Sequence, residues 1–213
     1  MPYRPTERTE ARRAAVRERI VDAAVEQLAA GGYASASVQA VAARAGVATG
    51  SVYRYFGSKA DLFAEVFRRG SEREMALIED AIRDDGRPAP ERIGAAVEVF
   101  ARRALAAPVR AYAFVAEPVD QAVEEQRLVF RRAYRARIAR ILEDGVAAGE
   151  LRPHDSETLA AAVVGALGEA LVGPLSRRRN GRAHGEAMVA SLVDFCMRAI
   201  PREESRAGDA AHA

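Results

Sequence analysis

The stretch SVQAVAARAGVATGSVYRYFGSKADL, residues 37–62, has the spacing of two short helices that cross steeply around a tight turn. Counted from Val38 as the first position, Ala42 is the fifth, Gly46 the ninth and Val52 the fifteenth. The fifth residue has to be small because the second helix packs over it. The ninth has to tolerate a left-handed backbone, which glycine does, and the fifteenth faces back onto the first helix. The stretch therefore predicts a helix-turn-helix.

The second of these helices is predicted at residues 49–56, with a polar outer face at its N-terminal end. In a helix-turn-helix protein that end enters the major groove of DNA. Arginine can donate two hydrogen bonds to guanine there, and tyrosine and small hydroxyl groups can reach phosphate oxygens. Tyr55 and Phe56 are expected to turn inward. The alternative is a plain two-helix corner with an exposed arginine. The expected outer face consists of Thr49, Gly50, Ser51, Tyr53 and Arg54.

Positive charge is concentrated at the N-terminal end of the chain. The formal net charge is +2. Residues 1–60 hold nine basic and five acidic residues, whereas residues 61–213 hold 23 basic and 25 acidic ones. No acidic residue occurs between Glu26 and Asp61. Because a local excess of positive charge favours an anionic partner, the charge distribution also points to nucleic acid.

Apolar residues recur every three or four positions along nearly the whole chain, which predicts an all-α fold of about nine helices. Gly31 and Gly32 are expected to end the first helix, and Ser37 to cap the second. Asp61 is placed to complete a capping box with Ser58 at the start of the fourth. No segment has a pattern typical of a strand. The predicted helices cover residues 10–30, 37–45, 49–56, 58–83, 89–106, 109–116, 120–148, 155–173 and 186–200.

The composition argues against an enzyme and against a metalloprotein. Cys196 is the only cysteine, and the three histidines are scattered singly, so no metal-ligand spacing occurs. The sequence shows no nucleophile–base pair and no phosphate loop. We therefore predict no catalytic residues, no metal and no cofactor. The apolar runs are expected to be too short to span a membrane, and the N-terminus lacks a secretion signal. Both features predict a cytoplasmic protein without a membrane partner.

The helix-turn-helix stretch resembles the DNA-binding domain of the TetR family of bacterial transcriptional repressors. The resemblance rests on the motifs VAARAGV (41–47), GSVYRYF (50–56) and SKADL (58–62), and on the position of GGYASAS (31–37). It covers roughly the first 65 residues. The remainder resembles the family only in length and helical layout, so the identity of an effector does not carry over.

The resemblance implies roles for individual residues. Ser51 and Arg54 occupy positions where family members commonly contact bases. Ala48 occupies a position that is often a serine N-cap, so this helix lacks a capping hydroxyl worth about 1 kcal/mol. Lys59, the only lysine in the chain, lies at a helix N-terminus, where an anion is favoured. The positions of common phosphate contacts are Ser37, Thr49, Tyr53, Tyr55 and Lys59.

The resemblance also implies that the C-terminal part dimerises and binds an effector. Small residues in helix 155–173 would let another helix approach, and with helix 186–200 it could form half of a four-helix bundle across a two-fold axis. Ordinary core packing is the alternative for these helices and for the aromatic residues. The predicted interface residues are Leu159, Val163, Gly165, Leu167, Gly168, Leu171, Leu192 and Phe195. The predicted effector-binding residues are Phe100, Arg103, Tyr112, Phe114, Phe130 and Tyr134.

We therefore predict a homodimeric, ligand-responsive repressor that binds a palindromic double-stranded operator and is released by a small apolar or aromatic effector. The predicted domains are a helix-turn-helix domain at residues 1–60 with a loose arm at 1–9, a helical effector-binding and dimerisation domain at 61–201, and a flexible tail at 202–213. Two alternatives stay open. One is an effector-independent architectural DNA-binding protein, and the other is an all-helical enzyme or carrier with one basic end.

Overall fold

The computed structural model describes residues 7–176 and 182–203, and these residues form nine α-helices, so the predicted all-α fold is confirmed. An isolated bridge joins Leu151 to Arg202, and the described ranges contain no strand. The helices are α1 (Glu7–Ser35), α2 (Val38–Ala45), α3 (Thr49–Tyr55), α4 (Lys59–Ala81), α5 (Ala89–Ala106), α6 (Pro108–Val115), α7 (Gln121–Ala147), α8 (Ser156–Ser176) and α9 (Arg182–Ala199).

Contacts between residues divide the chain into two compact units. The first unit contains the residues up to Glu74, the segment Ala104–Phe130 and the chain from Leu171 to the end of α8. The second contains Met75–Arg103, Arg131–Ala170 and α9. Because α6 belongs to the first unit, that unit is larger than a helix-turn-helix domain alone. A domain boundary near residue 60 stays a prediction.

The predicted loose ends of the chain fall partly outside the described residues. Residues 7–9 already belong to α1, so this part of the predicted arm is wrong, while residues 1–6 lie outside the described ranges. Glu7 and Glu10 stand in the first turn of α1, where acidic side chains favour helix formation. Of the predicted tail, residues 204–213 lie outside the described ranges.

The core of the first unit is built from the apolar stripes of α1 to α4. Ile20, Leu28, Val41, Val52 and Phe63 are buried in one cluster. Burying an aliphatic or aromatic side chain of this size stabilises the fold by about 1.5–3 kcal/mol. The two short helices α2 and α3 therefore pack against apolar surface that α1 and α4 supply.

Both ends of α2 are fixed by the residues that the sequence indicated. The Ser37 hydroxyl accepts a hydrogen bond from the N–H of Ala40 at 3.1 Å, which confirms the predicted cap of α2. Gly46 ends that helix in the left-handed region (φ 66°), where glycine is favoured. Ala48 precedes α3 without a side-chain cap. The tight turn between α2 and α3 thus follows from the sequence.

Two predicted helix ends differ in detail from the structure. At the start of α4, the Ser58 hydroxyl accepts from the N–H of Asp61 at 3.0 Å. This bond is one half of the predicted capping box; in place of the other half, the Ser58 hydroxyl donates to the Asp61 carboxylate at 2.8 Å. At the other end of the chain, α8 continues past Pro174 to Ser176, and the predicted stop at residue 173 is wrong. A proline near a helix end gives up one backbone hydrogen bond without ending the helix at once.

The second unit has its own apolar core, to which α5, α7, α8 and α9 contribute. Ile93, Ile138 and Leu142 are fully buried in it. A Cβ on Gly145 would lie 2.6 Å from that of Ala89, so this glycine is required by close packing. The Glu150 carboxylate accepts from the N–H of Ala89 at 2.6 Å and so caps α5.

Helix α8 is more apolar than the sequence analysis expected. The helix has 21 residues, and an 18-residue window within it has a mean hydropathy of 1.7, so by length and composition it is able to cross a membrane. The expectation that no apolar run reaches this length is therefore wrong. Only 28% of that window is buried within the chain. Length and composition do not distinguish a membrane span from a helix that packs against protein.

Candidate DNA-binding surface

The outer face of α3 carries the side chains that the sequence placed there. Tyr53 is 49% exposed, and Arg54 and Gly50 are also exposed. The Arg54 guanidinium donates a hydrogen bond to the Ser51 hydroxyl at 2.9 Å, one turn earlier on the same face. This bond directs the guanidinium along the N-terminal half of the helix, the part that enters the major groove in such motifs.

Gly50 lies on this face without a packing reason inside the chain. A Cβ placed on it would meet no other described atom within 4 Å, apart from its immediate chain neighbours and the backbone of its own helix. Its φ is not in the left-handed region. A glycine in a helix costs about 0.5–1 kcal/mol relative to alanine. No packing contact within the described residues therefore accounts for this glycine.

The aromatic residues of α3 divide into outward and inward sets, as the sequence predicted. Val52 and Phe56 are buried in the core of the first unit, and Tyr55 is half-buried against that core. The Arg17 guanidinium of α1 lies over the Phe56 ring at 5.0 Å, a favourable cation–π contact. A phosphate contact by Tyr55 remains a prediction.

Lys59 makes an internal contact that the sequence did not indicate. Its Nζ donates a hydrogen bond to the Tyr33 carbonyl at 3.0 Å and lies 4.2 Å from the centre of the Tyr33 ring. The ammonium group thus joins the start of α4 to the end of α1. It has three N–H donors, so one bond to a carbonyl is compatible with a contact to phosphate.

An ion-pair network joins α1 to α4. The Glu65 carboxylate accepts from Arg68, Arg69 and Arg17, and Arg69 also pairs with Glu18. Hydrogen bonds lower the pKa of Glu65 to about 2, chiefly the bond from Arg68 and then those from Arg69 and Arg17. Burial acts in the opposite direction and raises this pKa. This network holds the two long helices in register.

A group of residues that the sequence did not indicate contacts the end of α1, just before the helix-turn-helix, from far along the chain. Glu117 and Asp120, in the turn between α6 and α7, bond Tyr33 and Ala34 at the end of α1. The partners are 83 to 87 residues apart. Since no local pattern links them, no signal in a single sequence identifies this contact.

Two family models match the chain. Residues 20–66 match the model of bacterial regulatory proteins of the tetR family. Residues 86–171 match the model of the tetracyclin repressor-like C-terminal domain. Together the two matches cover more than half of the chain. The chain belongs to the TetR family. It is a DNA-binding transcription regulator, and α2 and α3 are its helix-turn-helix.

Two of the curated relatives match about a third of the chain. The fatty acid metabolism regulator protein of Bacillus subtilis is 37% identical over 65 residues, which are 30% of this chain and 34% of the relative. The transcriptional repressor KstR of Mycolicibacterium smegmatis is 42% identical over 72 residues, 34% and 35% of the two chains. The chain thus spans about a third of the length of these relatives.

Solved structures of this fold match over most of the chain. FadR from Bacillus subtilis, solved in complex with stearoyl-CoA, superposes with a TM-score of 0.73. The match covers 86% of this TetR family chain and 98% of FadR, with 22% sequence identity. At that identity the similarity shows the fold alone.

The predicted effector residues of this TetR family protein are divided between the two units. In the second unit, Phe100 stacks on Tyr134 with ring centres 5.7 Å apart, and burial raises the pKa of Tyr134. In the first unit, Phe114 stacks on Phe67 at 4.3 Å and covers Gly70, where a Cβ would lie 2.4 Å from the Phe114 ring. Phe114 thus packs on α4. Arg103 belongs to the second unit, and Tyr112 and Phe130 belong to the first.

The predicted interface residues of this regulator divide into buried and exposed sets. Gly165 and Phe195 are exposed, Phe195 by 55%, while Leu159 and Gly168 are half-buried. The side chains of the remaining four residues already pack inside the chain, and their contact with a second chain stays a prediction. These buried residues are Val163, Leu167, Leu171 and Leu192.

Proposed function

We propose that this TetR family regulator is a homodimeric repressor that binds a pseudo-palindromic operator and is released by a small apolar or aromatic effector. The observation that carries the proposal is the outer face of α3. It presents Arg54, oriented by Ser51, next to exposed Tyr53 and a glycine without a packing role. A DNA-binding repressor acts in the cytoplasm and needs no catalytic group.

Base contacts are proposed for Arg54 and Ser51, and phosphate contacts for residues around them. An arginine that forms two hydrogen bonds with guanine discriminates against the wrong base by about 1–3 kcal/mol. Phosphate contacts fix the register of the protein without selecting sequence. The proposed phosphate contacts are Ser37, Thr49, Tyr53, Tyr55 and Lys59.

Dimerisation is proposed through the exposed faces of α8 and α9. The exposed side of α8 contains Ala161, Ala162 and Gly165, and α9 presents Phe195. Small residues let two helices approach closely, and an exposed phenylalanine gains free energy when a partner covers it. A two-fold dimer of this kind presents two copies of α3 to the two halves of a palindrome.

The proposed effector is apolar or aromatic. Phe100 and Tyr134 form an aromatic pair in the second unit, and aromatic side chains are frequent in ligand pockets. The complex of FadR with stearoyl-CoA places an acyl compound in a protein of this fold. An acyl chain is therefore one candidate ligand class. An effector can release DNA only by binding the two states with different affinity, typically by about 1–3 kcal/mol.

The proposed route of switching is α4. This helix begins at Lys59 in the first unit and ends at Ala81 in the second. A ligand that displaces the C-terminal end of α4 tilts the helix and changes the separation of the two copies of α3 in the dimer. Phe130→Ala is expected to weaken this response while operator affinity without ligand stays nearly unchanged.

Selection from a pool of random duplexes tests the proposal. The wild-type protein is expected to enrich a pseudo-palindrome whose half-sites lie about one helical turn, roughly 34–36 Å, apart or a multiple of that distance. Two chains should bind each selected duplex. Enrichment of unrelated sequences, or tight binding by a single chain, would contradict the proposed function.

A further inference from the structure

A carboxylate from the turn between α6 and α7 holds the end of α1, inside the first unit. Gly32 breaks α1 (φ 81°, ψ −177°), so the N–H groups that follow it need a partner outside the helix. The Glu117 carboxylate accepts from the N–H of Tyr33 at 2.8 Å and from that of Ala34 at 2.9 Å. Glu117 is only 7% exposed. The two N–H groups therefore replace hydrogen bonds to water that the Glu117 carboxylate loses on burial.

Gly32 is required by this contact for two separate reasons. Its positive φ disfavours other residues. In addition, a Cβ at this position would lie 2.8 Å from one Glu117 carboxylate oxygen and 2.9 Å from the other. The glycine that the sequence analysis took only as a helix stop is therefore also the place where a carboxylate reaches the backbone.

Tyr33 connects the same carboxylate-bearing turn to α4. Its hydroxyl donates to the Asp120 carboxylate. Burial is the larger cause and the contact with Asp120 the smaller cause of a raised pKa of Tyr33, so the hydroxyl keeps its proton. Its carbonyl accepts from Lys59, and its ring meets that of Phe63 edge-on at 5.3 Å. Four residues after Tyr33, Ser37 caps α2. The corner between α1 and α2 is thus held through Tyr33.

A residue of α7 holds the turn that carries Glu117 in place. Arg127, which is 7% exposed, donates to the Ala113 carbonyl at 2.8 Å and to the Glu117 carbonyl at 2.7 Å. The N–H of Glu117 donates to the Tyr112 carbonyl at 2.9 Å. A displacement of α6 or of the first turns of α7 therefore moves the Glu117 carboxylate with it.

We propose that the turn 117–120 is a latch that positions the α1–α2 corner for DNA binding, with Glu117 as the positioning residue and Arg127 as its anchor. The latch rests on the proposed DNA-binding function and gives it a second route of control, separate from the tilt of α4. Opening the latch leaves two backbone N–H groups without their acceptor, and a shift of about 1 Å is enough to lose such a bond. The corner then loosens and α2 and α3 lose their fixed orientation.

The test compares Glu117→Gln and Asp120→Asn with the control Glu125→Gln, which makes the same charge change at an exposed position of α7. The probes are the duplex that the wild type selects from a random pool and a scrambled duplex. Glu117→Gln is expected to weaken binding to the selected duplex at least tenfold. Binding to the scrambled duplex and the dependence of log Kd on log salt should not change, because no phosphate contact is removed. Exchange of the Tyr33 and Ala34 amide hydrogens should accelerate in the same variant.

Further variants separate a latch from a general loss of stability. If Glu117 and Arg127 act as one unit, Glu117→Gln combined with Arg127→Lys loses little more affinity than the weaker-binding single variant. A folded Glu117→Gln protein with wild-type affinity would overturn the latch. If Glu117→Gln does not fold, the variant Asp120→Asn, at an exposed position, provides the test. Wild-type affinity in Asp120→Asn then overturns the latch. If the wild type selects no duplex, the DNA-binding proposal fails and the latch fails with it, whereas a latch failure alone leaves the wild type and Glu125→Gln fully active.

Discussion

Arg54 and Ser51 are joined before any DNA is present. Their hydrogen bond of 2.9 Å lies on the exposed face of α3, and it limits the orientations of a side chain that would otherwise be flexible. A donor that is already oriented loses less conformational entropy when it binds a base. The pair therefore favours base recognition over a purely electrostatic contact.

Replacing Arg54 with alanine should remove the base contact. We expect Arg54→Ala to cost about 1–3 kcal/mol of binding free energy and to relax the preference at one position in each half-site. The control is Arg44→Ala, which removes the same charge from α2, where Arg44 pairs with Glu26. Affinities for a panel of duplexes with single base changes measure both variants. Equal losses on specific and random duplexes for Arg54→Ala would rule out base recognition by this residue.

Gly50 allows a test in which stability and binding change in opposite directions. Gly50→Ala should stabilise the fold by roughly 0.5–1 kcal/mol, since alanine is the better helix residue. It should weaken operator binding, because the added methyl group lies on the face that approaches DNA. Gly173→Ala is the matched control, since a Cβ there also meets open space. Thermal unfolding and operator titration check the pair, and undiminished affinity in Gly50→Ala would show that α3 does not approach DNA closely.

Local spacing explains why the helix-turn-helix could be predicted from the sequence. Gly46 bonds the Ala42 carbonyl, and Ala42 and Val52 are buried in one cluster, so residues close together in the sequence determine the turn. The bond from Lys59 to Tyr33 and the bonds from Glu117 to the end of α1 join residues far apart in the chain. Such contacts depend on how the helices pack, which periodicity does not specify.

The attachment of α1 to α4 is expected to depend on pH through Glu65. Its pKa of about 2 lies below the usual 4.5. A carboxylate whose pKa is lower in the folded state than in the unfolded state stabilises the fold. This stabilisation is complete at a pH above the unfolded-state pKa and is lost as the pH falls through the folded-state pKa. The stability that Glu65 contributes should therefore decline between about pH 4.5 and pH 2.

Glu65→Gln should reveal this contribution. At neutral pH the variant should unfold with a free energy lower by at most about 3 kcal/mol, and the difference from wild type should vanish near pH 2. The control is Glu72→Gln, an exposed partner of Arg68, which should change stability by less than about 1 kcal/mol. Urea unfolding across this pH range measures both variants. A difference that does not depend on pH would contradict the ionic role of Glu65.

Helix α8 shows the limit of periodicity for a helix that is apolar on several sides. Val163 and Leu167 face the core of their own chain, whereas Gly165 between them faces outward. A sequence rich in leucine, valine and alanine predicts that the helix exists but not which stripe is buried in the chain. The helices that pack against α8 determine which of its stripes is buried. Only part of the predicted interface is therefore exposed to a second chain.

Assembly of two chains can be tested at Gly165, where a Cβ would meet open space within the chain. Gly165→Trp should leave the protomer folded and weaken the dimer about tenfold or more, since overpacking at a close interface costs about 1–3 kcal/mol. Ala136→Trp, at an exposed position of α7, is the control. Sedimentation at micromolar concentration distinguishes the outcomes. A Gly165→Trp protein that remains as dimeric as the control would exclude this face as the interface.

A crystal structure of the protein bound to its selected duplex tests the central claim most directly. The predicted result has α3 of each chain in the major groove, with the Arg54 guanidinium within hydrogen-bonding distance of a base edge. The two copies of α3 should lie about one helical turn, roughly 34–36 Å, apart or a multiple of that distance. A complex in which α3 lies outside the groove, or in which Arg54 contacts only phosphate, would contradict the account.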